Sequence, residues 1–270
     1  MAFHVLSRRN GLNYEFTPPQ DASGCTFVCF NPLSGDKAMW EAGIGPVLVE
    51  RGHGLLCWNL RGQAGSLFTP GAITPEAIVE DAISLTGKID PPNAVFTGHS
   101  IGGLFAAQAV QAGASCRAMV LINTLRMADN RLKWINDALV RIAEVGGLDL
   151  LRDVYSPLLM NEQWLGEHRS EFLKDEDYLP LKAGDGAYDL LAAGRDADWN
   201  FDWSGLEMPV LNITGGQDRI FRDPAIIARL AATMADVEML DYEDCGHMIP
   251  AERPGRLAGD LLRFAERAVS

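Results

Sequence analysis

Ser100 stands in Gly98-His99-Ser100-Ile101-Gly102, at the end of the apolar run Ala94-Val95-Phe96-Thr97 and at the start of a helical stretch from Leu104 to Gln111. A serine on so sharp a strand-to-helix bend occupies a strained backbone region, and the positions two residues either side of it must be small, as Gly98 and Gly102 are. The bend lifts the hydroxyl clear of the strand. The helix start then points backbone N–H groups at negative charge forming there, with the Ile101 N–H nearest. The chemistry that suits this arrangement is nucleophilic attack on an acyl carbon. A serine hydroxyl is weak at its own pKa and needs a base, and the base needs an acid to orient it.

The chain has five histidines: His4, His53, His99, His168 and His247. His4 and His53 fall beside edge or helix-end positions, His168 lies in a charged run, and His99 adjoins the serine on the elbow, where its side chain is expected to point elsewhere. His247, in Asp244-Cys245-Gly246-His247-Met248, follows the last strand-like run and precedes the last helix. Acids near the right kind of turn are Asp218, in Thr214-Gly215-Gly216-Gln217-Asp218, and the cluster Asp241, Glu243 and Asp244, which reads as a solvated face.

The elements that must hold these residues alternate. Residues 3–16 read as a hairpin turning at Asn10-Gly11. Residues 25–31 and 54–60, the elbow strand, 118–123 and 209–215 are short, continuous apolar strands, and 237–242 is the last strand. Helices are expected between them: 37–51, weakened at Gly43 to Pro46; 74 to about 86, with Thr74 as cap and Pro75 in the first turn; the Ala-rich helix after Ser100; 223 to about 234; and 254–268. Continuous apolar strands alternating with helices predict an α/β fold, a mostly parallel central sheet with helices on both faces. From about Leu125 to Gly205 strands are absent and helical segments carry Trp134, Trp164, Trp199 and Trp203, which are expected in the core of a helical insertion more than at a pocket wall.

With the elbow, the strand–helix order and the two later turns in place, the sequence resembles the α/β-hydrolase superfamily over nearly its whole length apart from the middle. The resemblance implies a Ser100–Asp218–His247 triad, since Ser, Asp and His occur in that chain order in this fold. It implies an oxyanion hole made by the backbone N–H groups of Ile101 and Leu33, with Ser34 as alternate to Leu33. The loop after the first parallel strand reads Asn31-Pro32-Leu33-Ser34-Gly35, where relatives commonly read His-Gly-x-x-x-Gly, so Asn31 is expected to supply the histidine's structural hydrogen bonds. Asn59-Leu60-Arg61-Gly62-Gln63-Ala64-Gly65-Ser66 resembles a structural turn beside the active site, and Arg61 is assigned no chemistry. It implies core segments at 1–124 and 207–270 and a helical cap at 125–206.

Length and composition agree with this frame. The 270 residues, 47% hydrophobic, suit one large domain or a core plus an insertion. A formal charge of −13 argues against nucleic acid or an anionic membrane as partner. Five scattered cysteines without metal-ligand spacing and an N-terminal stretch lacking an apolar signal core predict reduced thiols in a cytoplasmic protein. No stretch approaches the roughly 18–20 apolar residues of a spanning helix. No P-loop or dinucleotide fingerprint is present, and neither cofactor nor metal is expected. The expected function is a serine hydrolase acting on a small or medium acyl substrate, an ester or lactone. The same triad leaves open an acyltransferase, a carbon–carbon bond hydrolase or a cofactor-free haloperoxidase-like enzyme, and the scaffold leaves open a non-catalytic small-molecule receptor and a homo-oligomer.

Overall fold

The computed structural model describes residues 2–269. Its strands are β1 (Ala2–Val5), β2 (Gly11–Thr17), β3 (Thr26–Phe30), β4 (Gly54–Trp58), β5 (Ala94–His99), β6 (Ala118–Ile122), β7 (Val210–Gly215) and β8 (Val237–Tyr242). They form a single eight-stranded sheet in the order β1-β2-β4-β3-β5-β6-β7-β8. β1 and β2 pair antiparallel, β2 joins β4 antiparallel, and every other pairing is parallel. Every residue of β3 to β7 is buried. This is why those runs read as continuously apolar, with both faces of a parallel sheet covered.

The helices are α1 (Ala38–Ala42), α2 (Gly45–Glu50), α3 (Pro75–Ile89), α4 (Ile101–Gln111), α5 (Asn130–Leu159), α6 (Glu162–His168), α7 (Gly186–Arg195), α8 (Pro224–Ala231), α9 (Ile249–Glu252) and α10 (Pro254–Val269). Alternate strand residues feed two cores. Val28, Phe30, Phe96, Met119 and Leu121 pack with α3, α4 and α8 on one face, and Phe27, Cys29, Val95, Val120 and Ile122 pack with α1, α2 and α10 on the other. α3 begins as its sequence predicts, with the Thr74 hydroxyl accepting from Ala77 N–H at 3.1 Å and Pro75 in the first turn.

Several boundaries differ from the sequence expectation. The first hairpin turns over Leu6–Asn10, not at Asn10-Gly11; Gly11 is already in β2, where a Cβ would run into the Phe3 ring. α3 continues through Gly87 to Ile89 and stops at Asp90, which takes a φ of 49°. α8 ends at Ala231, short of Met234. Among the described residues, no helix is long and apolar enough to cross a membrane, and all five cysteines are free.

β4 lies on one side of β3 and β5 on the other, so successive connections diverge there. The crevice outside the carboxyl ends of β3 and β5 is a topological switch point, the usual ligand position in an open α/β sheet. The loop after β3 and the bend after β5 both open on it.

Candidate active site

Ser100 links β5 to α4 with φ 57° and ψ −127°, a conformation that a non-glycine residue adopts only when its surroundings enforce it. The enforcement is visible in the neighbouring glycines. A Cβ on Gly98 would overlap the Gly103 backbone, and one on Gly102 would overlap the Phe30 carbonyl. Ser100 N–H is tied to Ile122 O at 2.8 Å, and Thr124 Oγ1 donates to Ser100 O at 3.0 Å.

Asp218 and His247 arrive on the loops after β7 and β8. His247 Nδ1 lies 2.6 Å from Asp218 Oδ2, and both residues are buried, 4% and 5% exposed. The other carboxylate oxygen of Asp218 accepts from Ile220 N–H at 3.0 Å and Phe221 N–H at 2.9 Å. Burial raises the Asp218 carboxyl, but the His247 charge and hydrogen bond, the Phe221 N–H and Arg126 together hold it below the usual carboxylate range. Ser100 and His247 line one cavity of about 90 Å³. No hydrogen bond joins Ser100 Oγ to His247 Nε2; Oγ is instead 3.3 Å from Arg126 Nη2. A larger concavity of about 710 Å³ lies beside it, sharing Leu33, Ser34 and Met248 but containing neither Ser100 nor His247. The chemistry-bearing residues converge on the smaller one.

Among the described residues the Leu33 and Ile101 N–H groups have no hydrogen-bond acceptor, and both residues line the Ser100 cavity. The Asn31 side chain makes three hydrogen bonds. Its amide donates to Trp58 O at 2.7 Å and Gln63 Oε1 at 2.9 Å, and its carbonyl accepts from Trp40 Nε1 at 2.8 Å. Gln63 Nε2 in turn donates to Pro32 O at 2.9 Å, so the loop lacking the His-Gly pair is braced from below. Arg61 makes a bidentate pair with Asp81, at 2.7 and 2.5 Å, away from the cavity.

The histidine loop is fixed by groups that sequence reading passed over. Glu252 accepts from Gly246 N–H at 2.8 Å, Met248 N–H at 3.0 Å and Asn161 N–H at 2.9 Å. Asn123, at φ 49°, donates to His247 O at 2.7 Å and Gly246 O at 3.2 Å while its carbonyl receives Gly215 N–H at 2.8 Å. His99 points away from Ser100, as expected, and its Nε2 meets His247 O at 2.8 Å. The last turn of α5 closes the arrangement: Leu159 O accepts from His247 N–H and Leu158 O from Arg219 N–H.

Arg126 is the other residue the sequence reading missed. Its guanidinium lies 4.3 Å from the centroid of Phe221 and 4.8 Å from that of Trp199. Nη2 donates to Asn123 O at 2.6 Å, and Nε to Thr124 O at 3.3 Å. Burial pulls this arginine down to about 10, against the opposing pull of Asp218. The available signal was a cation directly following a buried strand, in Leu121-Ile122-Asn123-Thr124-Leu125-Arg126, with no acid adjoining it.

Between β6 and β7 the chain is helical. Asn136, Leu139, Leu151, Tyr155 and Leu159 of α5 and Leu191 of α7 form much of the cavity's far wall. Of the four tryptophans there, Trp199 lines the cavity, Trp203 is core, Trp164 stacks on His168, and Trp134 is exposed. Asp241, Glu243 and Asp244 are exposed, as expected, and Asp244 pairs with Arg253 and Arg256.

Comparison with known proteins follows the same lines. A non-heme chloroperoxidase of Streptomyces lividans is 23% identical, over 97% of this chain and 99% of that protein. Among solved structures, a thermophilic esterase from Thermogutta terrifontis superposes with a TM-score of 0.78 at 22% identity, covering 97% of this chain and 95% of that one. The enol-lactonase from Burkholderia xenovorans LB400 gives 0.78 at 21% identity, covering 94% and 96%. The model of the alpha/beta hydrolase family matches residues 27–260, from β3 to the final helix, and the chain belongs to that family.

Proposed function

We propose that this protein is a serine hydrolase that cleaves a small or medium ester or lactone through an acyl-enzyme on Ser100. The observation that carries this reading is the buried 2.6 Å Asp218–His247 pair opening on the same cavity as a serine held at a strained elbow. With Asp218 ionised, His247 keeps its proton on Nδ1 and presents Nε2 as a base. On substrate binding, Ser100 Oγ turns from Arg126 to Nε2; such contacts are often open before substrate arrives. Oγ then bonds to the acyl carbon, and the hydroxyl proton passes to His247. The negative charge on the carbonyl oxygen is met by the Leu33 and Ile101 N–H groups, which have no other partner among the described residues. The C–O bond breaks as His247 returns the proton to the leaving oxygen. Water, deprotonated by the same histidine, releases the acid and restores Ser100.

Residues 125–206 act in this reading as the cap, with α5 and α7 over the nucleophile setting the size of the acyl group. The five free cysteines support a cytoplasmic setting. The test is labelling with a fluorophosphonate probe and mass mapping of the adduct, in wild type and His247→Ala. An adduct on Ser100 that requires His247 is the expected result. A folded wild-type protein that takes no label would overturn the reading and turn attention to ligand binding on a hydrolase scaffold.

A further inference from the structure

We propose that the cavity above Ser100 selects an acyl group bearing its own carboxylate, which Arg126 receives; this rests on Ser100 being the acyl-accepting nucleophile. Arg126 is 7% exposed, and no other residue lining the cavity carries a permanent charge. In a chain of formal charge −13, the substrate cavity is thus marked by one buried cation. Among the described residues no carboxylate forms an ion pair with it; Asp218, whose charge it feels, is committed to His247. Burying a guanidinium without an anion is unfavourable, a cost that a neutral donor to Ser100 would avoid.

The geometry fits a carboxylate. Phe221 and Trp199 cover the guanidinium, so binding is left to its edges. Nε and Nη2 are engaged by backbone carbonyls, and among the described residues Nη1 has no hydrogen-bond partner. Nη2 approaches Ser100 Oγ at 3.3 Å, so a carboxylate received on the edge of the guanidinium would be a short chain away from the attacked carbon. The cavity, about 90 Å³, is small, which favours a short acyl chain such as that of a small dicarboxylic acid or a lactone with a short carboxylate arm. The side chains of Asn136 and Tyr155 line the same space, have no hydrogen-bond partner among the described residues, and supply further polar contacts for the chain between the two ends.

The experiment compares 4-nitrophenyl hydrogen glutarate with 4-nitrophenyl pentanoate, in wild type, Arg126→Lys and Arg126→Met. Alongside it, glutarate is titrated calorimetrically into the same proteins. Wild type is expected to favour the anionic ester by about tenfold or more in kcat/KM, and Arg126→Met to lose about 100-fold on the anionic ester and far less on the neutral one. Arg126→Lys falls between, because it keeps the charge and loses the planar fork. Glutarate is expected to bind wild type and not Arg126→Met. Wild type favouring pentanoate, equal losses on both esters, or no glutarate binding to wild type would each overturn the proposal. If Arg126→Met does not fold, the wild-type preference and titration still decide. If neither ester turns over and Ser100 takes no fluorophosphonate, the hydrolase reading fails; glutarate binding that depends on residue 126 would still support the carboxylate site, and its absence would remove it.

Discussion

The Glu252 carboxylate holds the backbone N–H of Gly246 at 2.8 Å, one residue before the proposed base. The same carboxylate takes Met248 N–H, one residue after it, and Asn161 N–H, two residues past the end of α5. Glu252 is 6% exposed, so removing it strands buried donors. Glu252→Ala is therefore expected to cost about 3 kcal/mol or more in urea unfolding. It should also lower kcat by about tenfold or more with little change in KM, since the imidazole loses its fixed position. Glu252→Gln, which keeps one accepting oxygen and turns the other into an amide donor, should recover part of both. A variant that loses stability with kcat intact would show that the bolt serves the fold alone.

Ser100→Ala is expected to abolish turnover while the melting temperature stays within a few degrees of wild type or rises slightly, because alanine removes no buried bond beyond the 3.3 Å contact with Arg126. Asp218→Asn should cut kcat by about 10³–10⁴-fold, since an amide at 2.6 Å from Nδ1 favours the wrong imidazole tautomer. Steady-state kinetics on any ester that wild type cleaves checks both. Retained activity in purified Ser100→Ala would sink the mechanism.

His99 supplies a pH signature. Burial first, and then the charge of His247, push it down to about 3, although its hydrogen bond to the His247 carbonyl acts the other way. The unfolded chain binds this proton below about pH 6.5 and the folded one only near 3, so stability is full above the unfolded value and falls with acid, by up to about 1.4 kcal/mol per pH unit across that window. His4 and His53 are also lowered, chiefly by burial, and share the direction. Asp218, lowered overall, loses its contribution only as pH drops below the unfolded carboxylate range. The readout is thus the difference between wild type and His99→Gln in urea unfolding at several pH values from 7 to 4. The variant should show the shallower acid slope, and an equal slope would remove His99 as the responsive group.

The difference between what could be read in the chain and what could not is one of range. The Ser100 elbow is local: glycines at fixed offsets, a strand before it and a helix after it are all present within a dozen residues. Asp218 and His247 follow from strand order, because each sits at the first turn after a parallel strand. Glu252 sits on the short helix after the His247 loop, and no motif marks it; its work with Asn161 depends on where α5 ends. Asn123 and His99 act on backbone carbonyls more than 120 residues away in sequence. Arg126 reads as an ordinary loop cation until Phe221, from the β7–α8 loop, and Trp199, from the segment after α7, close over it. The helical character of residues 125–206 shows in their composition, but which tryptophan reaches the cavity depends on how the helices cross.

α5 shows how such a crossing is set. It breaks at Gly146 and Gly147, the latter at φ 69° and ψ −161°, a region open in practice to glycine alone. A Cβ on Gly147 would overlap the Leu179 carbonyl, and the neighbouring Ala143 O, freed from the helix ladder, accepts Leu181 N–H at 2.9 Å. The break aims Asn136 and Leu139 from the first half, and Leu151, Tyr155 and Leu159 from the second, at one cavity. Gly147→Ala should then cost about 1–3 kcal/mol, and the re-aimed second half should raise KM several-fold. Labelling of Ser100 by a small fluorophosphonate should slow less, because Ser100, Leu33 and Ile101 follow directly on β3 and β5 and are not carried by α5. Gly87→Ala, inside α3 with open space around the position, is the matched control and should be neutral or stabilising by about 0.5–1 kcal/mol. An unchanged KM in a folded Gly147→Ala protein would mean that the break positions α5 for packing and does not shape the cavity beside Ser100.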